Sequence, residues 1–187
     1  MNQSFDIKPT STIAGARLRL VPFDPKQHLT NAYVGWLNDS EVVRYSEQRH
    51  RRHTIDSCRS YFESMRAGGH HFWAIERIDG DAPRHIGNLS ATMDRANAAA
   101  DLAIMIGDRT AWGHGFGREA WIAACEWLLG PGGARKVGAG TIAENHAMLA
   151  VFEAAGMTVE ATRKGHFILD DRPVDAVYAA RFSPSHR

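Results

Sequence analysis

Residues 104 to 118 read Ile-Met-Ile-Gly-Asp-Arg-Thr-Ala-Trp-Gly-His-Gly-Phe-Gly-Arg, an apolar, strand-like run followed by a glycine-rich turn. The apolar stripe of a helix follows directly, from Gly117 to Leu129, and Gly130-Pro131 ends it. Glycines allow the backbone to approach an anion closely, and the free amide groups and the dipole of a helix N-terminus favour negative charge. The stretch therefore predicts a phosphate-binding turn between a strand and a helix.

Two nucleotide-binding motifs compete for the same glycines. The pattern Gly115-x-Gly117-x-x-Ala120 satisfies the dinucleotide fingerprint, but four predicted strands precede it instead of one, and Gly140 stands where an acidic residue is needed. A Walker loop is excluded because the turn has no glycine-lysine-serine/threonine end. A nicotinamide-dependent enzyme is a less favoured alternative, a nucleoside triphosphatase is disfavoured, and a tight loop with positive φ is the alternative that involves no phosphate.

The rest of the chain has a regular order of predicted elements. Alternating polar and apolar residues predict a first strand over Arg17–Pro22, and helical spacing of apolar residues predicts two helices after it. Later, Asn145 caps a helix that Gly156 stops, and Asp170-Asp171 forms the turn of a closing hairpin. The predicted ranges are helices over 27–37 and 55–65, strands over 71–77, 85–92, 101–106 and 136–142, and hairpin strands over 159–169 and 173–182.

Features in both halves of the chain carry a resemblance to a known family. The pair Trp112-Gly113 opens the turn, and Asn145 is followed by Gly156 eleven residues later. These residues resemble the signature of the GNAT superfamily of N-acetyltransferases, particularly the branch related to the ribosomal-protein N-terminal acetyltransferases. Segments 36–39 and 45–49 are similar to segments in members that include amino-sugar acetyltransferases.

The resemblance implies an α+β fold with three α/β/α layers. Its central sheet would be mixed but mostly antiparallel, with about seven strands that splay apart in the middle and about four flanking helices. The resemblance covers roughly residues 17–182. We expect one domain over residues 14–183, a mobile leader over residues 1–13 and a short tail over residues 184–187.

The resemblance also implies acetyl-CoA as the acyl donor and assigns residues to it. In the family, the strand before the turn and the strand after the helix part from each other, which frees main-chain groups for the pantetheine arm. The residues implied at the pantetheine arm are Ile104, Met105, Ile106 and Asn145, and those implied at the pyrophosphate are Trp112, Gly113, His114, Gly115, Phe116, Gly117 and Arg118.

Acetyl transfer requires an unprotonated amine, a donor to the developing oxyanion and departure of a thiolate. Asp101 is the first candidate base, because it starts the strand beside the cofactor and related enzymes often carry a glutamate there. Glu144, just after the next strand, is the second candidate. A carboxylate that only binds a cationic substrate and a solvent-exposed surface charge are the respective alternatives.

Phe152 departs from the family pattern. It stands seven residues beyond Asn145, where many members have a tyrosine that protonates the leaving thiolate. Because a thiol has a pKa near 8.5, water or another residue could supply that proton near neutral pH. The departure leaves open an alternative function, a GNAT-like module that binds acyl-CoA without efficient turnover.

Composition restricts the partners and the compartment. The formal net charge of +1 gives no global attraction for nucleic acid or a membrane surface, and no apolar run could span a bilayer. The two cysteines, predicted to be buried, form no metal-binding pair, and we expect no metal. We expect a cytoplasmic monomer or homodimer that acts on a small-molecule or peptide amine. Arg49, Arg51 and Arg52 would suit a phosphorylated or nucleotide-linked amino sugar.

Overall fold

The structure, a computed structural model, describes residues 9–184, which contain eight strands and five helices. The first eight residues of the predicted leader and residues 185–187 of the predicted tail lie outside the described residues. Short 3-10 helices cover Glu47–His50 and Arg109–Ala111. The other elements are β1 (Ile13–Ala14), β2 (Leu18–Pro22), α1 (Pro25–His28), α2 (Asn31–Leu37), α3 (Ile55–Ala67), β3 (His71–Arg77), β4 (Arg84–Asp94), β5 (Ala99–Ile106), α4 (Phe116–Leu129), β6 (Lys136–Ile142), α5 (His146–Ala154), β7 (Thr158–Leu169) and β8 (Arg172–Phe182).

All of these strands form one sheet, in the order β1-β2-β3-β4-β5-β6-β8-β7. Strands β5 and β6 pair in parallel, and the other neighbours pair antiparallel. The parallel pair is joined through α4, since parallel neighbours need a crossover connection. The predicted mixed, mostly antiparallel sheet is confirmed.

The numbers of elements differ from the prediction in two places. The two-residue strand β1 pairs Ile13 with Leu20 and Ala14 with Arg19, which adds a strand too short to produce a sequence pattern. The first predicted helix is divided, because Thr30 leaves the helical conformation and its hydroxyl accepts a hydrogen bond from the N–H of Tyr33, 3.3 Å away. That cap begins α2 as a separate helix.

The sheet carries an apolar core on each face, as a three-layer fold requires. Helices α4 and α5 cover one face, where Trp121 and Phe152 are buried. Helices α2 and α3 belong to the other core, where Tyr33 and Met65 are buried. Cys58 and Cys125 are buried and free in these two cores, which confirms their predicted role as small apolar side chains.

Strands β5 and β6 part in the middle of the sheet. Their pairing covers Ala99 with Lys136, Ala100 with Val137 and Asp101 with Gly138. Beyond Asp101, β5 continues along β4 while β6 continues along β8. Main-chain groups of residues 102–106 that face β6 therefore have no strand partner, and the predicted splay is confirmed.

The second half of the chain follows its local signals closely. The carbonyl oxygen of the Asn145 side chain accepts a hydrogen bond from the N–H of Met148, 3.2 Å away, and this cap begins α5. Gly156 ends the helix with a φ of +67°. Asp170 and Asp171 have φ values of +50° and +60°, as a two-residue turn of type I′ between β7 and β8 requires.

Candidate functional site

The glycine-rich turn presents main-chain amides at the start of α4. Gly113 and Gly115 have φ values of +77° and +81°, which glycine adopts without the steric cost of a side chain. Gly115 is the N-cap residue of α4, and no side chain caps the helix. The first-turn amides are therefore available to an anion, at the positive end of a helix of 14 residues.

Arg17 ties this turn to the first strands. Its Nε donates to Glu119 Oε2 at 3.0 Å, and its main-chain N–H donates to Glu119 Oε1 at 3.1 Å. Its Nη1 donates to the main-chain oxygen of His114 at 3.1 Å. Nothing in the sequence connects Arg17 with a turn that begins about a hundred residues later, so its role becomes visible only in the folded chain.

Two guanidinium groups lie beside the turn. A Cβ atom at Gly115 would lie 3.6 Å from Nη2 of Arg118 and 3.7 Å from Nη2 of Arg17. Arg17 remains 44% exposed although it is paired with Glu119. Arg118, which lines the adjacent cleft, therefore adds positive potential where the helix N-terminus already favours an anion, whereas the charge of Arg17 is balanced by Glu119.

Trp112 fixes the turn to the end of β5. Its indole N–H donates to the main-chain oxygen of Ile106 at 2.8 Å, and the Arg109 guanidinium lies 5.4 Å from its ring centroid. The indole is nevertheless 39% exposed. His114 is exposed and points its carbonyl at Arg17, so its side chain takes no part in the wall of the adjacent cleft.

A cleft of about 990 Å³, here named the central cleft, runs from the turn into the gap between β5 and β6. A second cavity of about 450 Å³, here named the side cavity, lies between α3 and the sheet. Ala103, Ile104 and Ile106 line both spaces. Of the residues predicted for the site, those that line the central cleft are Asp101, Ile104, Ile106, Trp112, Gly113, Gly115, Phe116, Gly117, Arg118 and Asn145, while Met105 lines only the side cavity.

Asn145 lines the central cleft with both ends of its side chain engaged. Its Oδ1 caps α5, and its Nδ2 donates to the hydroxyl of Thr141 at 3.1 Å. The residue therefore holds the N-terminus of α5 against the end of β6. This position forms one wall of the gap opposite β5.

The two predicted bases have different surroundings. Asp101 occupies the last paired position of β5 and lines the central cleft. Its side chain is exposed to solvent in the cleft. The surrounding residues of the cleft remove part of its hydration, and this partial desolvation raises the pKa of its carboxyl group. Glu144 is half-buried and lines neither space, and its Oε2 is buried without a hydrogen-bond partner among residues 9–184.

Phe152 is buried in the core, with its ring centroid 5.6 Å from that of Trp121. Its phenyl ring has no ionisable proton and cannot act as an acid, and it does not border the central cleft. The described residues that bring phenol groups to the cleft are instead Tyr45 and Tyr178. The Tyr178 ring lies against Gly140, where a side chain would collide with it.

The arginine cluster of the sequence does not act as a unit. Arg49 pairs with Glu47 at 2.8 Å, and its Nη2 donates to the main-chain oxygen of Ile168 at 3.0 Å, so it fastens a loop to β7. Arg51 and Arg52 line the side cavity. The predicted three-arginine anion site is therefore limited to two arginines.

Comparison with known families shows which protein family this fold belongs to. Residues 17–158 match the family described as Acetyltransferase (GNAT) domain. The chain belongs to this family. The match confirms the family resemblance that implied the splayed strands, while the glycine-rich turn was predicted from the residues themselves.

Solved structures share the fold of this GNAT domain at low sequence identity. RimL, a ribosomal L7/L12 alpha-N-protein acetyltransferase in complex with coenzyme A, is 18% identical with a TM-score of 0.79, covering 92% of this chain and 98% of that chain. A spermidine N-acetyltransferase from Vibrio cholerae, solved with CoA and spermine, is 15% identical with a TM-score of 0.79, covering 92% and 99%. A ribosomal-protein-S5-alanine acetyltransferase from Vibrio fischeri is 15% identical with a TM-score of 0.78, covering 94% and 98%. A search of curated proteins found no match.

Two further properties of the GNAT domain concern membranes and metals. None of the described helices combines the length and the apolar character needed to cross a membrane. Within residues 9–184, no group of three or more His, Cys, Asp or Glu side chains is arranged to hold a metal ion.

Proposed function

We propose that this chain is an acetyl-CoA-dependent N-acetyltransferase that transfers an acetyl group to a primary amine by direct attack within a ternary complex. The observation that carries the proposal is the continuity of the central cleft. It joins the uncapped start of α4, the unpaired edge of β5 and the carboxylate of Asp101 in one space. These are a pyrophosphate site, an edge for an extended amide arm and a base.

The residues present fit acetyl-CoA, which supplies the activated acyl group as a thioester. The amides of residues 113–118 and the guanidinium of Arg118 would hold the pyrophosphate. His114 would contribute through its main chain. The free main-chain groups of residues 104–106 would pair with the amides of the pantetheine arm, as an added strand pairs with a sheet edge. Asn145 would border the arm from α5.

Asp101 would remove a proton from the attacking amine. An amine with an ordinary pKa is largely protonated at neutral pH, so attack requires a base. Partial desolvation of Asp101 by the cleft raises the pKa of its carboxyl group and makes it a stronger base than a fully hydrated aspartate. Main-chain N–H groups along β5 would donate to the thioester oxygen as negative charge develops there.

The acceptor is proposed to be an amino sugar or the N-terminus of a peptide or protein. The structural relatives named above act on ribosomal proteins and on spermidine, so this fold is compatible with several acceptors. The two buried, free cysteines support the prediction of a reducing compartment such as the cytoplasm. A monomer and a homodimer are both compatible with the proposal.

The variant Asp101→Asn tests the base. We expect kcat/KM to fall by about 10²- to 10⁴-fold, the usual contribution of general-base catalysis. We also expect the limb of the pH profile that reports deprotonation of Asp101 to disappear. The measurement is kcat/KM for acetyl transfer between pH 5 and pH 9.

Two further variants complete this test. Glu144→Gln examines the second candidate base, and Asp56→Asn is a matched control because Asp56 is exposed on α3 and lines neither space. An unchanged pH profile in Asp101→Asn would remove Asp101 from the mechanism. A comparable loss in Asp56→Asn would show that the effect is not local to the cleft.

The alternative function is a module that binds acyl-CoA without turnover. The observation in its favour is that position 152, where many members have a tyrosine acid, is a phenylalanine without a hydroxyl and is buried in the core. Tight CoA binding without transfer to amino sugars, α-amino peptides or polyamines would support the module. Transfer to any of these amines would exclude it.

A further inference from the structure

The side cavity reaches the place where acyl transfer is proposed. It is bounded by α2 and α3 on one side and by β3, β4 and β5 on the other. Val42, Ser46 and Ala103 line it together with the central cleft. With about 450 Å³, it has the volume of a small-molecule site.

Asn88 has an unpaired donor in the wall of this cavity. The residue is 5% exposed, lies on β4 and lines the side cavity. Its Oδ1 lies 3.0 Å from Nε2 of His85, while its Nδ2 is buried and has no hydrogen-bond partner among the described residues. An unpaired buried amide destabilises the fold, and a ligand oxygen that reaches Nδ2 would supply the missing partner.

A buried network surrounds the side chains of Asn88 and His85. The His85 ring packs against the rings of His28 and Trp36, with centroids 5.1 Å and 5.0 Å away. His28 accepts the main-chain N–H of Asp24 at Nδ1 and therefore directs its Nε2 proton to Glu76, 3.2 Å away. His85, the partner of the Asn88 side chain, is therefore held on several sides.

His53 adds a second unpaired group to the same cavity. Its Nε2 is buried without a hydrogen-bond partner among residues 9–184. Its backbone is fixed by the side chain of Asn38, which accepts from its N–H and donates to its carbonyl, both at 2.9 Å. The main chain of His53 is therefore fixed beside the side cavity.

Charge is separated between the two spaces. Arg51 and Arg52 line the side cavity, and neither guanidinium has an ion-pair partner among residues 9–184. No Asp or Glu is among the described residues that line the side cavity. The carboxylates that line the neighbouring central cleft are Glu41, Glu47 and Asp101.

We infer that the side cavity binds the acceptor through an oxyanion, a phosphate or carboxylate, while the acceptor's amine faces Asp101 in the central cleft. This inference rests on the proposed function for the identity of the reacting group. Two free guanidinium groups and the Asn88 amide match the oxygens of an anion. A polyamine would place further positive charge beside Arg51 and Arg52, which disfavours it.

Steady-state kinetics with matched acceptors tests the charge preference. The pairs are glucosamine 6-phosphate with glucosamine, and 4-aminobutanoate with 4-aminobutan-1-ol, with spermidine as the cationic probe. We expect the anionic member of at least one pair to have a KM lower by about tenfold or more, as one charge-assisted contact provides. The pair that shows the difference identifies phosphate or carboxylate. Equal values within both pairs, or a preference for spermidine, would overturn the inference.

Variants locate the effect in the side cavity. The double variant Arg51→Gln/Arg52→Gln should raise KM for the acceptor with the phosphate or carboxylate by about tenfold or more and leave KM for the matched amine without that group unchanged. Asn88→Leu should act in the same direction. The matched control is Arg59→Gln/Arg66→Gln, which removes two exposed charges of α3 outside both spaces. An equal rise in the control, or none in the arginine double variant, contradicts the inference.

Calorimetry separates this inference from the proposed function. Glucosamine 6-phosphate and glucosamine are titrated into the protein and into the arginine double variant, without acetyl-CoA. Selective binding of the phosphate that is lost in the variant supports the inference even if no acetyl transfer occurs. Equal binding of the two sugars overturns a phosphate site even if acetyl transfer is efficient. The same titration with 4-aminobutanoate and 4-aminobutan-1-ol tests a carboxylate site, and equal binding of these two compounds overturns it.

Discussion

His71 is a buried histidine outside the site whose protonation affects stability. It is 1% exposed, its Nδ1 lies 2.9 Å from the hydroxyl of Thr10, and its ring packs on those of Trp73 and Trp127 at 5.1 Å each. Burial, with a smaller effect of Arg95, lowers its pKa to about 4. The folded protein therefore prefers the neutral ring, whereas the unfolded chain protonates it near pH 6.5.

We predict that His71 makes the protein less stable as the pH falls from 6.5 to 4. The folded pKa lies below the unfolded one, so the contribution is complete above pH 6.5 and is lost as the pH approaches 4. The loss should reach about 3 kcal/mol at pH 4, from a pKa difference of about 2.5 between a reference of 6.5 and a folded value of about 4. His71→Phe should remove this part of the pH dependence, measured by urea unfolding at several pH values. The control His50→Gln, at an exposed histidine, should show the wild-type dependence of the unfolding free energy on pH. If His71→Phe also showed the wild-type dependence, the assignment to His71 would be contradicted.

At the scale of elements, the turn between β7 and β8 retains backbone strain. Asp170 and Asp171 both adopt positive φ, a conformation that costs a residue with a Cβ atom about 1 kcal/mol. Asp170 also pairs with Arg44 at 2.6 Å, so it has a tertiary contact, whereas no ion pair or side-chain hydrogen bond of Asp171 is found within residues 9–184. Asp171 is therefore the position where glycine relieves strain without removing a contact.

We predict that Asp171→Gly stabilises the protein by about 0.5–1 kcal/mol, because glycine suits the second position of a type I′ turn. Asp171→Val should destabilise it by a similar amount or more, since a β-branched residue is poorly tolerated at positive φ. Thermal and urea unfolding measure both changes. A destabilised glycine variant would show that the turn does not carry this strain.

At the scale of the whole molecule, the gap between β5 and β6 should couple cofactor binding to stability. Both core layers meet the sheet at these strands, and a ligand in the central cleft would supply partners to the free edge of β5. A ligand that binds only the folded state stabilises it in proportion to the logarithm of its concentration. The proposed acetyl-CoA site therefore has a signature that does not depend on turnover.

We predict that CoA at about 100 times its Kd raises the Tm by about 5–10 °C, which corresponds to about 2.7 kcal/mol for a domain of this size. NADH should give no comparable shift. Arg118→Gln should reduce the shift, while Arg66→Gln, at an exposed arginine outside the cleft, should preserve it. A saturable shift with NADH and none with CoA would overturn the assignment of the turn to CoA and favour a nicotinamide enzyme.

Local chemistry determined what the sequence alone could predict. Several backbone signals act within a few residues of the chain, so the local sequence is enough to predict the turn or helix end that each produces. They are the glycines at positive φ, the cap at Asn145, the stop at Gly156 and the Asp170-Asp171 turn. Hydrophobic periodicity then separated helices from strands. The two errors of element count, β1 and the divided first helix, concern elements of two to seven residues, which are too short for periodicity to resolve.

Only the tertiary structure decided which side chains share a cavity. Arg17 contacts the glycine-rich turn, Asn88 lies in the wall of the side cavity, and Arg49 contacts Glu47 and Ile168 and so is separated from Arg51 and Arg52. Each of these results depends on contacts between distant parts of the chain, or on which neighbour satisfies a charge. The local sequence therefore determined that a glycine-rich turn begins α4, while the splayed sheet followed from the family resemblance. The packing of α2 and α3 against β4 and β5 decided where positive charge remains unpaired. Only the folded structure shows which charged groups and donors find a partner and which do not.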